Sequence, residues 1–200
     1  MSPDAEFRPW ESGELYPSRM TSPDRHGAAD LLAEWWSEYS DERVTSGLPS
    51  SILRDPSLFP AASARPTAAK AMIAAGEYAD RFLASRPQVR LGLVVAESGA
   101  HALAAVGWDG PLNYDNDTGK FAAVVASWQD RFGARVVSVG GGTLDLSVAE
   151  PPTALEDALA VASEHFAFCP DNVVQGSRPY TIAAYAERLI GAPGWSFWWD

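Results

Sequence analysis

Cysteine is almost missing from this chain: Cys169 is the only one in 200 residues. An internal disulfide framework is therefore excluded, and so is a zinc site built from a cysteine cluster. Cationic residues are scarce too, with 15 Lys and Arg against 26 Asp and Glu, a formal net charge of −11. A surface of that sign repels phosphate, which argues against nucleic acid and against an anionic membrane surface as partners. No apolar run reaches the roughly 18 residues of a membrane-spanning helix. The opening MSPDAEFRPWESGEL has acids where a signal peptide carries a basic stretch and no apolar run behind them, so cytoplasmic residence is the expectation. Also missing are G-x-x-x-x-G-K-[ST], G-x-S-x-G and H-E-x-x-H, which removes motif support for nucleotide-loop, hydrolase and zincin readings. The histidines His26, His101 and His165 are too scattered to make a metal site by spacing, so no metal or cofactor is expected, although spacing leaves open a site assembled in three dimensions.

What is present is aromatic surface. Eight Trp, eight Phe and six Tyr in a chain that is 46% hydrophobic could not stay solvated along a disordered polymer. Charge divides the chain: residues 1–45 carry ten acids and four bases, 46–88 three and five, 89–200 thirteen and six. Pro3, Pro9, Pro17 and Pro23 interrupt the first stretch too often for a helix, so residues 1–24 read as an extended arm. Residues 25–88 read as a helical extension with a linker. Leu31, Leu32, Trp35, Trp36 and Tyr39 recur at helical spacing, residues 46–66 are rich in Ser and Pro, and a second helix runs from Thr67 to Ser85.

Residues 89–200 read as an α/β (α+β) domain, a mixed sheet of about four strands covered by helices. Val89–Ala96 is short, continuous and β-branched, the pattern of a buried strand. Ser98 then caps a short helix closed by Gly107, and Asp117 caps a longer one, with Phe121, Val124, Val125, Trp128 and Phe132 on one face and Gly133 as its stop. RVVSV and TLDLSV, joined by Gly140 to Gly142, form a hairpin. Thr153 and Glu156 have the spacing of a capping box before a helix through Phe168, a further helix spans Thr181 to Ile190, and WSFWWD closes the domain as a strand.

Glu164, His165, Cys169 and Asp171 lie within eight positions of one another, and they are the candidates for catalysis in a small hydrolase or transferase. Helical spacing turns Cys169 inward, sets His165 at the edge of the buried face and Glu164 nearly opposite it. A thiol at a helix C-terminus is raised rather than lowered in pKa by the dipole, so a buried structural Cys is the simpler reading, with His165 a cation on the same dipole. Candidate binding residues are Asn113, Tyr114 and Asp115 in the loop WDGPLNYDND, and Trp198 and Asp200 at the C-terminal end. That loop lacks the downstream Gly and Glu of an EF-hand, so helix capping is preferred to calcium binding. Trp195 and Trp199 read as core, and Trp198 divides evenly between core and recognition surface.

The segments WQDRFGARVV (Trp128 to Val137), EPPT (Glu150 to Thr153), EHFAFCPDNV (Glu164 to Val173) and WSFWWD (Trp195 to Asp200) together resemble the C-terminal signature of a bacterial family known only as domain of unknown function 4253. The resemblance covers about residues 89–200. WESGELYP and LLAEWW resemble the upstream region of longer members, and VVAESGAHAL departs from the more basic stretch those members carry after the strand. It implies no catalytic residues. Acidic bacterial families of this size include immunity-type proteins that bind and block a partner. Together with the net charge, that analogy leads to the expectation of a non-enzymatic module for a basic protein partner.

Overall fold

Local chemistry sets most of the helix ends. In a computed structural model that describes residues 20–49 and 65–199, the helices are α1 (Ala28–Tyr39), α2 (Ala68–Ser85), α3 (Gly99–Ala105), α4 (Thr118–Phe132), α5 (Leu155–Phe168), α6 (Asp171–Val174) and α7 (Ile182–Leu189). The strands are β1 (Arg135–Val139), β2 (Thr143–Ser147) and β3 (Gly194–Trp198), and a 3-10 turn occupies Pro23–Arg25. Thr67, Ser98, Asp117 and Thr181 each cap a helix by accepting a first-turn N–H, which satisfies a donor that has no partner inside the helix. Gly133 ends α4 in the left-handed region (φ +62°), with Pro66 2.7 Å from where a Cβ would stand. The expected Thr153 capping box does not form. Ala154 is the N-cap of α5, and Glu156 and Asp157 complement the dipole in its first turn instead. The readings of residues 1–19, of most of the linker and of Asp200 lie outside the described residues.

The sheet has three strands in the order β1-β2-β3, antiparallel throughout, where a mixed sheet of about four strands was expected. The difference lies at Val89–Ala96, which forms no strand and is exposed: Leu91, Leu93 and Val95 are 89%, 91% and 100% accessible. A continuous apolar run specifies a strand only where a sheet edge can receive it. Beside β1, Gly99 packs on Val136 and the Trp108 indole donates to Gly140 O (2.9 Å), so groups from other segments occupy both ends of that strand.

One face of the sheet carries Leu144, Leu146, Trp195 and Phe197, all buried. Trp128 of α4 stacks on Phe197 (5.4 Å between centroids, 10° between planes), and Phe168 of α5 meets Phe197 edge-on at 4.9 Å. Helix α5 lies between this layer and a second one formed by α1 and α7, so residues 158–168 are buried all round. Leu31, Leu32, Trp35 and Trp36 of α1 belong to that same core. Helix α2 packs on β1 and β2, and its Tyr78 sits so close to Gly194 that a Cβ there would meet the ring at 2.1 Å.

Candidate functional site

The burial of α5 decides the fate of the titratable motif. Glu164, placed by helical spacing on the outer side, is 0% exposed, because α5 has no solvent side at that turn. Arg131 grips it from α4 through two bonds (Nη1 to Oε2 2.9 Å, Nη2 to Oε1 2.6 Å), and Trp128 Nε1 donates to Oε2 at 2.5 Å. A bidentate guanidinium and an indole N–H are a full set of partners for a desolvated carboxylate.

His165 is likewise 0% exposed, so the reading of it as a cation on the helix dipole is corrected: burial, reinforced by the Arg131 charge, pushes its pKa well below 6.5 and keeps it neutral. Its tautomer follows from its neighbours. Asn172 accepts from Trp198 N with Oδ1 (3.3 Å) and donates from Nδ2 to Ser196 O (2.8 Å) and to the Tyr185 hydroxyl (3.2 Å). The Tyr185 proton is then free to bond His165 Nδ1 (3.1 Å), which leaves the imidazole proton on Nε2 among the rings of Trp128, Trp195 and Phe197. Cys169 Sγ donates to Trp198 O at 3.0 Å, and burial pushes the thiol up to about 12, far from a nucleophile.

Cys169 and Asn172 therefore do for β3 what a fourth strand would do. Ser196 O, Trp198 N and Trp198 O are all met by side chains of this one turn. An open sheet edge is a liability, and here it is sealed without a strand. The spacing between EHFAFCPDNV and WSFWWD thus has a structural cause.

Asp171 behaves differently. It is 4% exposed, accepts from Gln175 Nε2 (2.8 Å) and hydrogen-bonds the Tyr114 hydroxyl. Burial and the Asp171 charge drive the Tyr114 pKa upward. Tyr114 meets Tyr39 of α1 edge-to-face at 5.5 Å, and burial together with Glu38, Asp115 and Glu34 pushes Tyr39 up to about 12. Lys120 pairs with Asp115 (2.5 Å). The structure thus unites Tyr114, Asp115 and Asp171 from two sequence-predicted sets and adds Tyr39, Glu34 and Glu38 of α1, of which the sequence reading singled out only Tyr39, as part of a helical pattern. Asn113 is exposed in the same loop, and Trp198, 36% accessible, stands on the outer face of the sheet. His26 joins Thr21 and Asp117, and His101 approaches Asp24 and Glu97.

The molecule is an α+β protein, a three-stranded antiparallel sheet between helices, with a buried polar motif and an acidic, tyrosine-bearing face. No described helix is long and apolar enough to cross a membrane. Residues 90–200 match the family described as Domain of unknown function (DUF4253), and the chain belongs to that family. Comparison with curated proteins finds no match. Comparison with solved structures finds none either.

Proposed function

We propose that this chain is a non-enzymatic binding module that engages a basic protein partner through the face formed by Glu34, Glu38, Tyr39, Tyr114 and Asp115, in the manner of an immunity-type inhibitor. The observation that supports it is the Tyr39–Tyr114 pair ringed by carboxylates, with Lys120 as the cation bound among them. Tyrosines supply rigid contact area with a polar tip, and surrounding acids speed encounter with a cationic surface and reject an anionic one. The net charge of −11 supports the same reading and opposes nucleic acid as partner. By contrast, a pocket around His165 and Cys169 would have to form where both side chains are wholly enclosed.

The test is capture of partners from the native cell at low and moderate salt with the wild-type chain and with the double variant E34K/E38K, whose substitutions sit on the exposed side of α1. A stoichiometric basic protein that is retained by wild type, weakened by salt and lost with the variant is the expected result. Retention of every captured protein by the variant, or no stoichiometric partner at either salt, overturns the reading.

A further inference from the structure

We infer that Asp24, Glu97 and His101 form a binding site for a divalent first-row transition-metal ion, independently of the acidic binding face. The donor atoms of these three residues, two carboxylate oxygens and one imidazole nitrogen, all lie within 4.8 Å of one another. They come from separate places in the sequence: Asp24 from the 3-10 turn, Glu97 from the approach to α3, and His101 from the first turn of α3.

Two observations on His101 point to a ligand. Its Nε2 is buried and makes no hydrogen bond, although Asp24 Oδ1 lies only 3.4 Å away, outside hydrogen-bonding alignment. That spacing is the edge expected between two ligands of a tetrahedral ion with bonds of about 2.1 Å. The opposite nitrogen is already engaged, with Nδ1 2.8 Å from the Ser98 hydroxyl that also caps α3 by accepting from His101 N. With the proton on Nδ1 and donated to Ser98, the Nε2 lone pair is left for an ion beside Asp24 Oδ1, the outer-shell arrangement that orients metal-bound imidazoles.

The first ligand is also held in place. Thr21, three residues before Asp24, donates through N to Asp117 Oδ1 (3.0 Å) and through Oγ1 to Asp117 Oδ2 (2.6 Å), which pins the 3-10 turn to the N-terminus of α4. Glu97 and Asp24 are exposed, so small rotations bring their oxygens in and leave the remaining positions on the ion to water or a ligand. One nitrogen and two carboxylate oxygens suit Zn²⁺ or Mn²⁺, whereas Mg²⁺ and Ca²⁺ prefer oxygen alone.

The probe is Zn²⁺ added to the full chain, with Co²⁺ as a spectroscopic reporter. Titration calorimetry is expected to show one Zn²⁺ per chain, and the single variants D24N, E97Q and H101A each weaken it by at least about tenfold. Zn²⁺ is expected to raise the melting temperature of wild type and not of D24N, since it ties the 3-10 turn to α3. D24N and E97Q alter exposed side chains, so they keep the test valid if H101A fails to fold. Zn²⁺ affinity and stoichiometry unchanged in D24N and E97Q overturn the proposal, as does a wild-type preference for Ca²⁺ or Mg²⁺. No Zn²⁺ binding up to about 1 mM overturns it as well and leaves His101 and Asp24 as an ion pair only.

Discussion

Two polar clusters lie on either side of Asp171, and they treat their charges in opposite ways. In the α5 motif Glu164 has Arg131 and Trp128, His165 has Tyr185, and Cys169 and Asn172 have the β3 backbone. At the Tyr39–Tyr114 face, Glu34, Glu38, Asp115 and Asp171 gather around two tyrosines, and Lys120 pairs with Asp115. A dense group of titratable side chains is therefore no guide to chemistry by itself. Where the charged groups are matched inside the core, and even the His165 Nε2–H is enclosed among aromatic rings, the group specifies a structure. Charge left in excess at a surface is what remains for recognition.

The largest expected effect breaks the first cluster. Glu164→Ala leaves Arg131 and the Trp128 indole facing an apolar site, and removing one partner of a buried pair costs about 3–5 kcal/mol. Denaturant unfolding measures it. Glu34→Ala, on the exposed side of α1, is expected to leave the midpoint unchanged, and equal losses from the two would dissolve the contrast. Asn172→Ala comes next. It strips partners from Ser196 O, Trp198 N and Tyr185, and a cost of about 1–3 kcal/mol follows, with faster amide exchange at Trp198.

Protons probe the same cluster from another side. His165 is neutral in the fold and titrates near 6.5 in the unfolded chain, so below that pH the unfolded state binds the extra proton. Stability therefore falls as pH drops through 6.5, by up to about 1.4 kcal/mol per unit, and is fully present above it. His165→Gln is expected to flatten this slope between pH 6.5 and 5 in a series of unfolding curves. Asp117 contributes in a lower window. Burial pushes its carboxyl up, but bonds from Thr21 and Gly119 and the charge of His26 outweigh that and hold it below 3.8, so its share of stability is present above 3.8 and is lost as pH falls below it.

Much of this was legible in the sequence because it is local. The caps at Ser98 and Asp117, the stop at Gly133, the glycine-linked hairpin and the inward Trp195 and Trp199 all follow from residues a few positions apart. Glu164 was misplaced because helical periodicity assumes that a helix has a solvent side, and α5 has none around that residue. Val89–Ala96 was misread because a strand needs a neighbour, which no run of residues can display. The meeting of Tyr114 with Tyr39, and of His101 with Asp24, joins residues about 75 positions apart, where pattern and propensity carry no information.

Tyr114 is the residue that joins the two clusters, and the smallest prediction rests on it. Its ring packs on Tyr39 at the acidic face while its hydroxyl reaches Asp171, one residue before the Asn172 that seals β3. Tyr114→Phe keeps the ring and deletes one hydrogen bond from a carboxylate that still accepts from Gln175, so the cost is expected to be about 1 kcal/mol. Tyr39→Phe, whose hydroxyl bonds Glu38 at the surface, is expected to cost nothing measurable. The two single variants and their double in denaturant unfolding, with hydrogen exchange at Trp198, give the coupling directly. If Tyr114→Phe loosens Trp198 as strongly as Asn172→Ala does, the tyrosine face belongs to the structural network and the contrast fails. If Trp198 exchange is unchanged, the hydroxyl only orients the ring, and the face is free to be spent on a partner.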